Sequence, residues 1–504
     1  MAGKKNYDSD FCGSLPLNHI NVIQDYGFLL VIKPENLQII QCSENLAVLL
    51  QLQPRDLISK SLNELTDADQ LDKIRQRLND EVQAKAPMTF DLHGHQMEIL
   101  IHAKDGYVIL EMEKKVSTDR AFTQAFEEVK LAIARLEACT TAEEVSRVGI
   151  TEIRKITGFD GVMMYRFDED WNGTVIAEEK VPELEHYLGH TFPASDIPRQ
   201  ARQLYLKNPY RLIPDRTYKP ISLYPIVNPV TRTFTDLSDS NVRGVAAVHL
   251  EYLKNMQVMA SMSIRVIYHG ELWGLIACHH ITPKYLSLEV CSICELLSSI
   301  ISARIESLLH KNEADVETEL QKEQTALMAR VYAEDDIIKG LLDAEQANIA
   351  DLFNASGAVA VIGGVISGIK NIPDEEFVEN LILWLQTKRV ERTFATDHLP
   401  EMYDDAIPVA EIASGILALP IDTDQGDFIV CFRSEVKREI KWGGNPDEAI
   451  NFELDGKNYH PRNSFKLWQQ TVHQTSAPWT AHELAAAETM RSFIYEFHTK
   501  KGKF

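Results

Sequence analysis

Between residues 27 and 116 short apolar runs ("GFLLVI", "LQIIQCS", "HQMEILIHA", "YVILEME") flank a middle stretch, "ENLAVLLQL" and "ADQLDKIRQRL", whose apolar residues recur at helical spacing. Runs of that length bounded by polar residues predict strands, so the segment reads as an α+β domain on an antiparallel sheet. Residues 120 to 157 follow a helical pattern that Thr and Ser interrupt. From 161 strands return in "GVMMYRFD" and "GTVIAEE", separated by "EDWNG", whose Asn-Gly pair predicts a hairpin turn. "ASMSIRVIYH" and "ELWGLIACHH" form a second pair across a His-Gly turn. Between the pairs, residues 190 to 235 are rich in proline and aromatics and too long for a plain connection; loops of that length are usually functional.

A different period follows. Ile305, Val316, Leu327 and Ile338 recur every eleven residues, as do Leu309, Leu320, Val331 and Leu342. Eleven residues over three turns keep an apolar stripe nearly straight along a helix. The pattern predicts one long helix through 311–345, a connector or half of a parallel dimer, although two shorter helices within one domain would also satisfy it. Residues 346–490 are α+β again and end in the helical "TAHELAAAETMRSFIYEF". The apolar run "SGAVAVIGGVISGI" is too short to span a bilayer and reads as two strands around Gly363-Gly364.

Composition narrows the function. A chain of 504 residues has length for about three domains, and 45% hydrophobic with 25% charged residues is ordinary for a soluble globular protein. A formal net charge of −23 argues against nucleic acid, whose phosphates it would repel, and against an anionic membrane surface. The first twenty residues lack the apolar core of a signal peptide, so a cytoplasmic location is expected. Seven cysteines, Cys12, Cys42, Cys139, Cys278, Cys291, Cys294 and Cys431, are scattered and odd in number, which suggests no disulfide framework. "CSIC" (291–294) has redox or metal spacing, but it sits in an apolar helical pattern with no second pair to complete a site, so buried packing is expected. No metal site is expected.

Enzyme signatures are absent: no Walker loop, no GxSxG, no HExxH and no GxGxxG. Three stretches instead suit a large, planar, doubly anionic molecule. In "FPASDIPRQARQLY", Pro193 and Pro198 bar helix between them and leave Asp196 free to present its carboxylate and its carbonyl. "RGVAAVHLEYLKNM" places Arg243 near His249 and Tyr252, the latter two on one helix face. "ELWGLIACHH" is a buried strand ending in two histidines. Singly, each has a blander reading as a strand end or a surface cation.

Together, "YRFDEDWNG", "FPASDIPRQARQLY", "YLKNM" and "WGLIACHH", in this order, resemble the chromophore-binding GAF domain of phytochromes. "WGGNP", "PRNSF" and "PWTAHELAAA" resemble the PHY domain and its tongue. The resemblance covers nearly the whole chain and implies the core of a bacteriophytochrome, with three α+β domains on antiparallel sheets joined by a long helical spine. It places an N-terminal arm at 1–20, a PAS domain at 21–117, the GAF domain at 118–310, the connecting helix at 311–345, a PHY domain at 346–490 with a tongue at about 433–480, and a helix end at 491–504. It implies a linear tetrapyrrole (bilin) as chromophore. The Asp196 carbonyl then accepts pyrrole N–H groups, with Ile197, Pro198 and His249 beside it. Arg211, Arg243, Ser261 and Ser263 take the two propionates, guanidinium–carboxylate pairing being the strong kind. His279 hydrogen-bonds the ring D carbonyl, and Tyr165, Tyr205 and Tyr252, with Met163, Tyr187 and Phe192, line ring D.

The same resemblance assigns the attachment. Family members that attach bilin in the GAF domain carry a cysteine immediately before the first histidine, where this chain has Val248. Bacteriophytochromes use an arm cysteine, and Cys12 in "DFCGSLPLNHI" stands there. This implies biliverdin IXα, held by a thioether formed when the thiolate adds to a ring A vinyl group, and an arm threaded through a loop at about 218 to 245 as a knot. Two departures stand out: "IQDYG" has Tyr26 where the family has histidine, and "WQQ" has Gln470 for a carboxylate. The implied cycle is C15=C16 isomerisation between red- and far-red-absorbing (Pr and Pfr) states, exchange of an Asp196–Arg462 pair for a new partner such as Ser464, and refolding of a tongue that includes Trp442 and Trp468. The expected role is a photosensory module, not an enzyme, dimeric through GAF and spine helices. A histidine kinase or other output, with a response-regulator partner, is expected in a longer native protein. The rival is a PAS–GAF sensor of a small molecule or of redox state.

Overall fold

Strands Gly27–Ile32 and Tyr107–Lys114 pair antiparallel, and alternation gives each two different faces. In this computed structural model residues 20–79, 87–104, 106–116, 122–446, 450–452, 459–462 and 464–501 are described. They fall into two compact units, Met1–Leu309 with Lys441–Trp468, and His310–Ile440 with Gln469–Phe504. In the first domain Phe28, Leu30, Ile32, Leu110 and Met112 face a core shared with Leu71 and Ile74 of helix Ala68–Asn79. The opposite face, Leu29, Val31 and Ile109, packs on Ile23, Leu223, Leu237 and Val242.

That second face is built partly by the next domain. Strand Ile221–Tyr224 inserts between Val22–Ile23 and Ile39–Ser43 at the edge of the first sheet. On its other side, segment 22–24 meets residues 242–244: Gln24 N–H donates to the Val242 carbonyl and Gly244 N–H to the Val22 carbonyl, each at 2.8 Å. The approach requires glycine, because a Cβ on Gly244 would lie 2.9 Å from the Val22 carbonyl oxygen. Residues 21–24 are therefore hydrogen-bonded on both sides by the stretch that runs from 221 to 244.

The second domain has a sheet in the order Tyr210–Ile213, Ala260–Tyr268, Glu271–His280, Gly161–Phe167, Gly173–Lys180, Thr191–Phe192. One face (Leu212, Met262, Ile264, Ile276, Cys278, Val162, Met164) packs on helices Phe122–Glu137 and Ala142–Thr157 and on the first turns of Leu288–Glu334. Cys291 and Cys294 are buried in that core, as helix packing predicts. The break between the first two helices is a cap: the Thr141 hydroxyl accepts the Glu144 N–H at 3.1 Å. The "EDWNG" turn differs from expectation. Its left-handed residue is Trp171, its loop is closed by Asp168 on Asn172 N–H, and Gly173 already pairs with Phe167 in the ladder.

Helix Leu288–Glu334 bears out the eleven-residue stripe only in part. Ile305, Leu327 and Val331 are buried, but Val316 is 49% exposed. The helix also ends sooner than the 345 expected. Asp335 turns left-handed at φ 49°, and the short helix Ile337–Leu341 folds back so that a Cβ on Gly340 would sit 2.6 Å from the Val331 Cα. Ile338 and Leu342 therefore keep the period but not the helix.

The third domain is an antiparallel sheet in the order Val365–Lys370, Gly357–Ile362, Asp427–Arg433, Gly415–Asp422, Phe394–Thr396, with Gly363 and Gly364 both left-handed in the predicted turn. Arg433 ends its strand almost fully buried. Its guanidinium stacks 3.6 Å from the Trp479 ring centroid, donates to the carbonyls of Phe353 (2.8 Å) and Pro478 (2.7 Å), and pairs with Glu483 at 2.5 Å. The other Glu483 oxygen accepts Thr480 N–H at 2.8 Å, and Thr480 returns the bond, a capping box that starts helix Ala481–Lys501. Among the described residues no helix is long and apolar enough to cross a membrane. Glu483→Ala should remove the cap and strand a buried cation, costing about 3–5 kcal/mol, while Glu483→Gln, which keeps the cap, should cost less. The urea midpoint followed by tryptophan fluorescence measures both, and equal losses would show that charge pairing contributes nothing.

Candidate functional site

The second sheet's other face carries the site. The alternation that buries Leu212, Met262, Ile276 and Val162 turns Arg211, Ser261, Ser263, Ala277, His279, Met163 and Tyr165 the opposite way. Register sets them in rows: Arg211 is opposite Ser263, Ser263 opposite Ala277, and Ala277 opposite Met163; in the next row Ile213, Ser261, His279 and Gly161 follow one another. These rows floor a cavity of about 1600 Å³ of atom-free space, its open mouth included. Its walls include Phe192, Asp196, Ile197, Pro198, Tyr205, Arg243, Val248, His249 and Tyr252. Ile20 and Pro461 also line it.

Of the residues expected to line a chromophore, Met163 and Tyr187 stand apart. They line an adjoining space of about 290 Å³ that His279 shares. Both remain in one buried cluster with Tyr165 and Phe192, whose rings meet edge to face at 5.6 Å. Cys12 lies outside the described residues.

Asp196 sits where the two prolines put it, at the end of a single 3-10 turn, Ala194–Asp196, before Pro198 opens helix Arg199–Lys207. Its carboxylate accepts from Arg462 at 2.7 Å and from the Tyr252 hydroxyl at 3.1 Å. Both members of the ion pair are buried, with side chains 2% and 6% exposed. Burial pushes the Asp196 carboxyl above its ordinary range, against the opposing pull of Arg462 and Tyr252. Arg462 also donates to the Gly443 carbonyl at 2.7 Å. Gly443 has to be glycine, since a Cβ there would lie 2.5 Å from the Phe192 ring. Trp442 beside it is buried and bridges to Thr191.

Helix Ala247–Asn255 presents His249, Tyr252 and Asn255 on one face. His249 stacks on Tyr252 with centroids 6.1 Å apart, Tyr252 meets Phe465 edge-on at 4.9 Å, and Asn255 donates to the Arg462 carbonyl at 3.0 Å. The helix thus touches Arg462 through Asn255 and Phe465 through Tyr252. Ser464 is exposed, its hydroxyl accepting Lys466 N–H at 3.3 Å, and Trp468 lies at the surface.

The cavity is electropositive and unanswered. Among the described residues neither Arg211 nor Arg243 has a carboxylate at ion-pair distance. Arg211 spends its donors on the carbonyls of Asn241, Arg243 and Gly244 and so shapes the loop. Among the described residues the Arg243 side chain is held only by long bonds of 3.4 and 3.5 Å to the Leu237 and Ser238 carbonyls. Burial, then the Arg211 charge, lowers Arg243 to about 9. Burial also pushes His249 and His279 down to about 4, so both imidazoles are neutral near pH 7. Neither has a hydrogen-bond partner for its ring among the described residues. The Tyr205 hydroxyl pairs with Ser263.

Sequence reasoning missed the supports behind this wall. Gln24 donates to the Leu212 carbonyl at 3.1 Å and Glu111 accepts the Asn241 and Val242 N–H groups at 2.8 Å each. The available signal was two glutamates at alternate positions of an apolar strand, "YVILEME". Tyr26 of "IQDYG" packs on the face shared by the first two domains, 5.8 Å from the Tyr285 ring, which accounts for an aromatic there.

Three family models match the chain: PAS fold over residues 12–115, GAF domain over 141–305 and phytochrome region over 320–502. Cyanobacterial phytochrome B of Nostoc sp. is 39% identical over 97% of the chain and 66% of its own length. A bacteriophytochrome of Xanthomonas campestris is 30% identical over 98% of the chain and 79% of its own length. The crystal structure of bacteriophytochrome RpBphP3 from R. palustris superposes with a TM-score of 0.84 at 30% identity, covering 97% of this chain and 99% of that one. The Stigmatella aurantiaca phytochrome photosensory core module gives 0.83 at 32% identity, covering 98% and 99%. The chain spans 66%, 64% and 65% of the length of three cyanobacterial relatives.

Arg462→Met should raise the Asp196 titration further, because burial is then opposed by Tyr252 alone. The carboxyl C=O stretch assigned by comparison with an Asp196→Asn variant should persist to higher pH in infrared spectra. A midpoint that does not move contradicts the pairing.

Proposed function

The chain belongs to the phytochrome family, and from that premise we propose that it is a red/far-red photoreceptor that holds biliverdin IXα in this cavity. The observation that carries the reading is Arg243, a buried guanidinium that lines the cavity beside Arg211 with no carboxylate at ion-pair distance among the described residues. Uncompensated buried charge is costly, so the site asks for an anion, and a bilin brings two propionates. When bound, the bilin supplies visible-light absorption and a C15=C16 double bond whose isomerisation turns ring D.

The chain's own residues then divide the work. Arg243 is the cation with donors to spare, while Ser261, Ser263 and Arg211 complete the anion's surroundings. Asp196, Ile197 and Pro198 offer backbone acceptors at the wall, with neutral His249 close by. His279, neutral and buried, retains one ring N–H to donate to a carbonyl. Tyr165, Phe192, Tyr187 and Met163 form an apolar enclosure that turns water away.

Cys12 is the proposed thioether tether. Ile20, eight residues further on, lines the cavity, and the chain reaches at most about 3.3–3.6 Å per residue, so the thiol can arrive there. Val248, also in the wall, offers no thiol. Bonding of segment 21–24 by residues on both sides supports a threaded arm. The Asp196–Arg462 pair is the proposed relay. It is closed here and strands Arg438–Gly443 and Leu467–Val472 are formed, the arrangement this reading gives to the red-absorbing state. Release of Arg462, with Ser464 as a candidate replacement, would refold the tongue and signal to an output module, a histidine kinase or other domain, and its response regulator. The chain itself would act as a cytoplasmic photosensory module without catalysis. Exposed Phe126, Leu131 and Leu296 on helices of the second domain support a homodimer.

Mixing the apoprotein with biliverdin should give a red band that interconverts with a far-red band under light. After denaturation the pigment should stay with the protein and be lost from Cys12→Ala; pigment still covalently bound to that variant would rule out the tether. Asp196→Ala and Arg462→Ala should bind pigment but form several-fold less far-red state. Unimpaired photoconversion in both would remove the relay.

A further inference from the structure

The cation that most needs placing, Arg243, follows directly on a loop held by another domain. Glu111, on the first domain's strand Tyr107–Lys114, has a side chain 2% exposed. One of its oxygens accepts the backbone N–H groups of Asn241 and Val242, each at 2.8 Å. The other is 2.6 Å from His102 Nε2 on the neighbouring strand His95–Lys104. The carboxylate therefore faces three donors and cannot move without stranding buried N–H groups. The same loop is gripped further along by Lys104, which bonds Asp236 and Asp239. The residue after Val242 is Arg243, whose side chain enters the cavity.

We propose that Glu111, held by His102, is a positioning residue that sets Arg243 for the carboxylates of the cavity's ligand. The inference rests on the bilin reading above. It makes the first domain part of the binding site at one remove, through two backbone hydrogen bonds. Charge alone predicts the opposite effect: Glu111 lies within electrostatic range of both Arg211 and Arg243, so deleting a negative charge there would favour an anionic ligand. Positioning predicts that anion affinity falls.

Biliverdin and its dimethyl ester, which lacks both carboxylates, separate the two. Binding is titrated by absorbance on the full chain carrying Cys12→Ser, so that it is reversible, with thermal unfolding as a control of folding. Glu111→Ala should weaken biliverdin about tenfold, the scale of one charge-assisted hydrogen bond, and the ester less than about twofold. Glu111→Asp, which keeps the charge but withdraws it by one methylene, should show the same selective loss and decides the matter if the alanine variant does not fold. In an Arg243→Met background either substitution should leave the ratio of the two affinities unchanged. Hydrogen exchange at the Asn241 and Val242 amides of the apoprotein should quicken in Glu111→Ala, with no pigment present. Equal weakening of both ligands, stronger binding of biliverdin, or a selective loss that persists without Arg243 would overturn the proposal. Binding of neither ligand by the parent would overturn the bilin reading and this inference with it.

Discussion

Taking a guanidinium out of water costs several kcal/mol unless another group answers its charge. Four arginines are buried among the described residues, and three of them are answered in different ways. Arg433 is closed off by Glu483, Trp479 and backbone carbonyls, a node with a structural purpose. Arg462 is paired with Asp196 beside the cavity. Arg243 has no counter-charge at ion-pair distance among the described residues and faces open space. The first arrangement stabilises, the second couples two segments, and the third is the one that the proposed function assigns to a ligand.

The unmatched charge is affordable because of how the second domain's sheet is used. One face is an ordinary core of Met, Ile and Leu against helices. The other is floored by serines, an arginine and a histidine whose rows are fixed by the same register. A slip of one residue would exchange the two faces, burying Arg211 and Ser263 among helices. The core thus enforces the geometry of the site. The first domain adds a second constraint: its sheet accepts strand Ile221–Tyr224 and its Glu111 holds 241–242, so the loop preceding Arg243 is anchored at both ends by a neighbouring domain.

Elements with strict periodicity were legible in the sequence. The strands of the first and second domains, the Gly363-Gly364 turn and the closing helix appear where alternation and turn chemistry put them. Family resemblance, not periodicity, brought the distant site residues together, and the cavity does collect Asp196, Arg243, His249 and His279. Three things were not legible. The helix end at Glu334 depends on a close approach of Gly340 to Val331, which leaves the apolar period intact. The hairpin at 168–172 is decided by Asp168 side-chain bonds rather than by Asn-Gly. The role of Glu111 could not be read from the sequence because the backbone groups it holds lie 130 residues away, at Asn241.

The pair at Asp196 has an energy scale suited to a switch. Its carboxylate is shared by donors from separate segments, Tyr252 on the helix that carries His249 and Arg462 from the stretch beyond residue 441. Burial excludes water as a ready substitute, so losing Arg462 obliges the carboxylate to find another donor or a proton. Breaking such a pair costs about 3–5 kcal/mol. Inverting a two-state population from 1:99 to 99:1 requires about 5.5 kcal/mol. The two figures are close enough that, in the proposed relay, a change confined to this one buried contact could bias a two-state equilibrium. An exposed pair worth about 0–1 kcal/mol could not. Burial of Arg462, beside a Gly443 whose approach to Phe192 admits no side chain, is therefore what the proposed relay depends on.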